Sequence, residues 1–123
     1  MRKWGFNGSL GCVFCSCSLE TSDHLFAECL LYRNMIQKLF GRSEVFTSLN
    51  SELGWMQQVF GSQNVKSQVG RAMWHSLITV VWRERCNRVY LGNCKDCDVM
   101  CKVVREEIIG LFGRNIYESF FDT

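Results

Sequence analysis

Four residues of metal-binding types near the start of this chain limit its fold more than any other feature. They are Cys12, Cys15, His24 and Cys29, in the spacing C-x2-C, eight residues, H-x4-C. Three thiolates and one imidazole form the ligand set of a closed tetrahedral zinc site, and C-x2-C places two ligands on one tight turn. The pattern therefore predicts that Zn²⁺ holds the N-terminal segment together. Cys17 is an alternative ligand, and chance ordering of the four side chains is the competing interpretation.

The five-residue step from His24 to Cys29 restricts where these ligands lie on a helix. Five positions on a regular helix differ by about 140° of rotation, so both side chains cannot face one ion from mid-helix. We therefore expect His24 in the first turn or just before it, and Cys29 about one turn later. Glu20 and Asp23 are candidate acceptors for the free imidazole N–H. Four protein ligands leave no position for water, so the predicted site is structural.

The rest of the chain has the pattern of helices. Proline is absent, and apolar residues recur at spacings of three and four. The fold class we expect is mainly α, with a small N-terminal CCHC zinc finger or knuckle followed by a bundle of about four helices. Residues 1–41 form the zinc-binding segment with its following helix, and residues 42–123 form a helical remainder packed with it as one unit. The predicted helices run from Ser22 or Asp23 to Phe40 with Gly41 as the stop, from Ser51 to Phe60, from about Val65 to Leu91 and from about Lys95 to Phe112.

Several side chains are assigned to the buried faces of these helices. We expect Val99 and Leu111 to point inward on the last helix, and Leu53 to share an apolar side with Met56 on the second. His75 follows Trp74 on the long central helix, where a core histidine is the more common role than a metal ligand.

Composition and termini favour an intracellular protein, in the nucleus or cytoplasm. The N-terminus has no apolar run typical of a signal peptide, and no stretch reaches the roughly 20 apolar residues of a membrane span. Thiols stay reduced inside cells, so the eight cysteines indicate metal ligands or free thiols. In a secreted protein their even number would instead permit a disulfide framework.

A second group of cysteines, in the order Cys86, Cys94, Cys97 and Cys101, competes as a metal site. Zinc or an iron–sulfur cluster could be held by such spacing. However, Cys97 and Cys101 are four residues apart in a helical stretch, and no histidine accompanies them. We interpret this group as free cysteines.

The net charge of +2 permits weak contact with nucleic acid without requiring it. Basic residues cluster around the end of the third predicted helix and along the fourth, with Trp82 and Tyr90 nearby for stacking. A solvated face is the simplest interpretation, and phosphate contact is the functional one. The candidates are Arg83, Arg85, Arg88, Lys95, Lys102 and Arg105.

Motifs for catalysis are missing from the sequence. It contains no glycine-rich phosphate loop, no G-x-S-x-G and no H-E-x-x-H. The adjacent Glu106 and Glu107 point about 100° apart on a helix, so they do not form a carboxylate pair. We expect a protein without enzymatic activity and without a small-molecule substrate.

Two stretches resemble a known family. Cys12-Val13-Phe14-Cys15, Glu20-Thr21 and Asp23-His24-Leu25-Phe26 through Cys29 are similar to the zinc-binding domain that follows the reverse transcriptase in plant non-LTR (LINE-type) retrotransposons. That family reads C-x-x-C, E-T and D-H-L-F-x-x-C. The stretch Val81–Tyr90, with Trp82-Arg83-Glu84-Arg85, is similar to its W-x-E-R-N-x-R-x-F. The chain departs from the family at Leu30, where proline is common, and at Cys86, where asparagine is expected.

The resemblance implies that Cys12, Cys15, His24 and Cys29 bind zinc and that the module binds RNA or DNA beside a reverse transcriptase. It also implies that the chain is a short reading frame left by a retrotransposon, with or without present activity. The modest charge favours a different function. In that alternative, the zinc finger stabilises a helical module whose exposed apolar face binds a partner protein or a second copy of this chain.

Overall fold

The computed structural model describes residues 11–15, 20–21, 23–41, 48–92 and 94–121. Within these ranges the regular structure is helical and no strand is present. Cys17 and Ser22 lie outside the described residues. The described residues form a π-helical turn, His24–Glu28, followed by five α-helices: α1 (Leu30–Phe40), α2 (Leu49–Phe60), α3 (Val65–Tyr90), α4 (Cys97–Phe112) and α5 (Arg114–Ser119).

Side chains at the helix starts explain where three of the helices begin. Ser48 and Ser51 form a reciprocal capping box at α2, so the helix begins two residues before the predicted Ser51. The Asn64 side chain accepts from the Ser67 amide at the start of α3. The Asp96 side chain accepts from the Val99 amide, so α4 begins at Cys97 rather than near Lys95.

Glycines end two of the helices, as their conformational freedom allows. Gly41 has φ 68° and stops α1 at the predicted position, and Gly113 has φ 89° and stops α4 after Phe112. The chain then turns into α5, so the predicted tail is a separate short helix.

The prediction of the first helix is wrong in one respect, because the helix is interrupted at Cys29. Cys29 has extended backbone angles, φ −62° and ψ 136°, so the π-turn ends there and α1 starts at Leu30. A helix running unbroken from Asp23 to Phe40 would have carried His24 and Cys29 to different sides. The interruption therefore changes the direction of the two predicted ligands.

The core lies where α1, α3 and α4 pack against one another, with α2 against α3. Its fully buried side chains include Tyr32, Met35, Ile36 and Leu39 of α1, Val69, Met73, Leu77 and Val81 of α3, and Met100, Cys101, Val104 and Ile108 of α4. None of the helices among the described residues combines the length and the hydrophobicity of a membrane-spanning segment.

Four predicted inward side chains are exposed instead. Val99 is 43% exposed, Leu111 68% and Leu53 38%, and His75 also lies on the surface. Leu53 and His75 line the open groove between α2 and α3. Periodicity alone does not show how wide a stripe the partner helices cover.

Phe60 brings α2 close to α3. Its ring packs among Phe40, Trp55 and Phe120, with centroids 5.6–5.9 Å apart. A Cβ atom at Gly70 on α3 would come within 2.5 Å of the Phe60 ring. Glycine at this position therefore lets the two helices approach.

A buried glutamate, Glu52, joins three helices and was not anticipated from the sequence. It has no exposed surface, and its Oε1 atom accepts hydrogen bonds from the Tyr32 hydroxyl of α1 and the Trp74 indole of α3. Burial disfavours the charged carboxylate and raises the pKa of Glu52 to about 7. The hydrogen bonds from Tyr32 and Trp74 lower this pKa, but by less than burial raises it. Burial also raises the pKa of Tyr32.

We expect this carboxyl group to make folding stability depend on pH. Because its pKa is about 7 in the folded chain and 4.5 as a free group, the native state binds the extra proton between these values. The free energy of unfolding should therefore fall as pH rises from about 4.5 to 7, by up to about 3 kcal/mol from this group. Glu52→Gln should remove that part of the slope, measured by urea unfolding at saturating metal. Exposed Glu106→Gln is the control, and equal slopes in both variants would contradict the assignment.

Candidate metal centre and its attachment to the bundle

The structure gathers the four predicted ligands at one point. Cys12 and Cys15 lie in a tight turn, His24 opens the π-turn, and Cys29 follows it directly. Their donor atoms all lie within 4.8 Å of one another. These four residues are thus positioned to bind a metal ion.

The π-turn is what brings His24 and Cys29 to the same side. The Cys29 amide donates to the His24 carbonyl oxygen at 2.7 Å, which closes an i→i+5 turn that is wider than an α-helical turn. The Thr21 hydroxyl accepts from the His24 amide at 3.0 Å and fixes where the turn starts. His24 therefore lies in the first turn, as expected, and a π-turn resolves the angular conflict of a regular helix.

Two of the separations between donor atoms are close to those around a tetrahedral ion. Cys12 Sγ lies 3.8 Å from Cys29 Sγ, and Cys15 Sγ lies 3.3 Å from His24 Nε2. Ligands at the zinc–sulfur distance of about 2.3 Å occupy tetrahedron corners about 3.8 Å apart. Cys12, His24 and Cys29 are buried and Cys15 is half-buried, so the site is largely shielded from water.

The two deepest thiols share one hydrogen bond, which changes their acidity. It lowers the pKa of Cys12 to about 5, with a smaller contribution from His24, and it raises the pKa of Cys29 together with burial. One proton is thus easily lost from the pair and the second is held. Metal ligation requires thiolates, so binding of a dication would release the remaining proton.

A buried ion pair attaches the metal segment to α3. Arg85 Nη2 lies 2.9 Å from Glu20 Oε1, and Arg85 Nε donates to the same oxygen at 3.0 Å. The side chains are 1% and 3% exposed. The other oxygen of Glu20 accepts from the Val13 amide at 3.4 Å, inside the Cys12–Cys15 turn. Glu20 therefore connects the metal-binding turn to the long helix.

Arg85 is accordingly not on a solvated basic face, which corrects its prediction as a phosphate contact. Its guanidinium carbon lies over the Trp82 ring, 5.3 Å from the centroid, and its Nε atom donates to Glu20. A buried arginine must have its charge compensated, and the compensating carboxylate comes from far away in sequence.

Arg88 is likewise engaged within the fold. Its guanidinium lies over the Phe14 ring, 4.8 Å from the centroid, so it covers the metal-binding turn. Its Nε donates to Glu84 at 2.8 Å, and its Nη2 donates to the Lys95 carbonyl at 2.7 Å. Glu84 also accepts from the Lys95 amide at 2.8 Å. Arg88 thus joins the metal segment to the α3–α4 connection.

The remaining basic candidates lie nearer the surface. The side chains of Arg83, Lys95 and Lys102 are exposed, and Arg105 is half-buried. Arg83 and Lys95 line the same small cleft between α3 and α4, together with Asn87. The structure thus keeps two of the six cations close together at one place on the surface.

Asp23 connects the metal segment to α2. Its Oδ1 atom accepts from the Leu49 amide at 2.9 Å, at the first residue of that helix. Both Glu20 and Asp23 therefore have bonds beyond the metal-binding segment. That either carboxylate accepts a hydrogen bond from the His24 imidazole N–H stays a prediction.

The second cysteine group is spread over two helices and their connection. Cys86 and Cys97 are half-buried, Cys94 is exposed and Cys101 is buried, and all are free thiols. Burial, followed by the charge of Cys97, raises the pKa of Cys101 to about 12. Among the described residues, the first cluster is the group whose donor atoms converge.

Sequence reasoning missed the pairing of Glu20 with Arg85, although both residues belong to the stretches that carry the family resemblance. The signal available was an arginine within an otherwise apolar helix face that also holds Val81 and Trp82. Comparison with family models, curated proteins and solved structures gives no match to this chain.

Breaking the Glu20–Arg85 pair should destabilise the fold strongly. Arg85→Met leaves a buried carboxylate without its partner, which costs about 3–5 kcal/mol. The double variant Glu20→Gln, Arg85→Met removes both charges and should recover part of the loss. Urea unfolding of the metal-loaded protein measures each value. Arg83→Met, at an exposed site two residues away, should stay within about 0.5 kcal/mol of the parent. A similarly small effect of Arg85→Met would contradict the role of the pair.

Proposed function

We propose that this protein is a non-catalytic zinc-binding module in which the ion fixes the N-terminal segment against a helical bundle. The observation that carries the proposal is the convergence of the Cys12, Cys15, His24 and Cys29 donor atoms within 4.8 Å. Thiolate and imidazole ligands select zinc over hard cations such as Mg²⁺ and Ca²⁺, which prefer oxygen.

Zinc would supply folding free energy at this site. Structural zinc contributes roughly 10–16 kcal/mol in small fingers, whereas a whole domain is stable by only about 5–15 kcal/mol. With four protein ligands, no coordination position remains for a substrate or a reactive water. The chemistry supported by this donor set is therefore structural.

Native mass spectrometry should find one zinc ion per chain. Cys29→Ser removes a buried ligand and should reduce the occupancy to near zero under the same conditions. Cys94→Ser, an exposed cysteine of the second group, is the matched control and should keep one ion. Absence of zinc from the parent would overturn the proposal, and two ions would assign a metal to the second group.

The finer proposal is that the module is related to the zinc-binding domains of plant LINE-type retrotransposons and assists a reverse transcriptase inside the cell by binding RNA or DNA. Two features support it. The metal ligands have the family's order, and the E-T and W-R-E-R stretches meet in the folded chain through Glu20 and Arg85. The motif residues thus act on one another, as expected for parts of one structural unit.

The surface that we assign to nucleic acid is the cleft between α3 and α4. Arg83 and Lys95 have no ion-pair partner among the residues that the structure describes, whereas Arg85 and Arg88 are paired. Asn87 also lines this cleft and can donate to a phosphate oxygen, and the carboxylate in the lining, Glu84, is paired with Arg88. Lys102 and Arg105 on α4 extend the basic surface.

The double variant Arg83→Ala, Lys95→Ala should weaken binding of single-stranded RNA and make it less dependent on salt. Each lost phosphate contact lowers the slope of log K against log salt by about 0.7 in single strands, so we expect a decrease of about 1.4. Fluorescence anisotropy at several salt concentrations measures this slope. Lys66→Ala, Arg114→Ala removes the same charge from other helices and should leave the slope unchanged.

A second candidate function, docking to a protein or a second copy, has support from exposed apolar side chains. Leu30, Leu91 and Leu111 are each about two-thirds exposed. Sizing chromatography of the RNA-binding samples separates the two functions. A monomer whose RNA affinity falls with salt supports nucleic-acid binding, and an oligomer without RNA affinity supports the docking function.

A further inference from the structure

A groove of about 440 Å³ lies between α2 and the first half of α3, away from the metal ligands. Its volume is in the range of about 300–1,000 Å³ that small-molecule sites occupy. We propose that this groove binds a nucleotide, with the base against Trp74 and the phosphate at Arg71. The proposal depends on the groove alone and stands whether or not the Arg83–Lys95 cleft binds nucleic acid.

Trp74 gives the groove an aromatic wall with a fixed orientation. Its indole N–H donates to the buried Glu52, so the ring is held from behind while it lines the groove. Leu53 and Met56 of α2 add apolar surface beside it. A planar aromatic surface that is already held in place favours a flat ring as its ligand, since stacking then costs little conformational entropy.

Arg71 provides the groove's positive charge. Its Nη1 atom donates to the carbonyl oxygens of Phe60 and Ser62, the latter at 2.7 Å, which holds the guanidinium at the α2–α3 connection. No acidic side chain is among the residues that line the groove. An anionic group on the ligand is therefore favoured at this end, and the N–H groups of a guanidinium suit a phosphate.

Two exposed amides, Gln57 and Gln63, also line the groove. A glutamine side chain offers one acceptor and two donors, which is the complement of a base edge that has both kinds of group. An aliphatic carboxylate would use the arginine and leave the aromatic wall and amides without a role. A nucleotide uses the ring, the amides and the cation together.

The bound unit could come from a free nucleotide or from a nucleotide within a single strand, and both share this chemistry. Isothermal titration calorimetry with AMP, with inorganic phosphate and with a short oligo(A) distinguishes the sources. We expect AMP to bind measurably and phosphate alone to bind at least tenfold more weakly. The oligo(A) titration uses the Arg83→Ala, Lys95→Ala variant, so that the cleft between α3 and α4 does not contribute. In that variant, oligo(A) that binds much more tightly than AMP identifies the strand as the source, and equal affinities identify the free nucleotide.

Two neighbouring glutamines on α2 give a matched pair of variants. Gln57 lines the groove, whereas Gln58 is exposed next to it and does not. Gln57→Ala should reduce AMP affinity about fivefold, Arg71→Gln about tenfold, and Gln58→Ala should leave it unchanged. Because Arg71→Gln also removes two bonds to the α2–α3 connection, the Gln57 and Gln58 variants decide the test.

The proposal is overturned if AMP does not bind, if phosphate binds as well as AMP, or if Gln57→Ala and Gln58→Ala have equal effects. Zinc occupancy measured on the same samples shows whether the metal centre is intact. A loaded protein that does not bind AMP would therefore contradict the groove assignment alone.

Discussion

The ion pair between Glu20 and Arg85 is the buried charge pair that attaches the metal segment to the helical bundle, beside the contacts of Asp23 with α2 and of Arg88 with Phe14. Few apolar side chains are available in the short segment around Cys12 and Cys15, so it cannot form a core of its own. A buried charge pair is costly to desolvate, and it is retained here where a backbone amide, Val13 N–H, gives the carboxylate a further donor. The metal would fix the turn internally, and the ion pair fixes its position against α3.

The arginines of α3 show that residues of a basic stretch can make contacts inside the fold. Arg85 and Arg88 stand three residues apart and so lie on one side of the helix. Arg85 forms the ion pair with Glu20, and Arg88 covers the Phe14 ring. Arg83, two residues before Arg85, faces elsewhere and is exposed. Helical register therefore divides one basic stretch into residues that hold the metal segment and residues that remain available on the surface.

Much of the local structure could be predicted from the sequence, because it depends on nearby residues. The ligand spacing, the glycine stop after Phe40 and the existence of the long helices are properties of short stretches. The break at Cys29 could not be predicted in this way, since a hydrophobic period of three to four continues through it. The break accompanies the i→i+5 bond from the Cys29 amide to His24, which apolar periodicity does not report.

The burial of charged residues is the feature least predictable from the sequence. Arg85 and Glu52 look like surface residues by type, and their burial depends on partners 65 and 20 residues away, respectively. Composition and periodicity treat each polar side chain as solvated. Glu52 is buried between Tyr32 and Trp74 because three helices pack together, and the sequence alone does not show this packing.

Hydrogen bonds link the metal centre to α2 and, through Glu52, to α3. Asp23, next to the ligand His24, accepts from the first amide of α2, so it fixes where that helix begins. Glu52 lies three residues further along α2 and holds Trp74 of α3. A metal bound to the four ligands would hold the π-turn and, next to it, the Asp23 acceptor at the start of α2. The metal centre and the α2–α3 groove are therefore linked through Asp23, α2 and Glu52, although they share no residue.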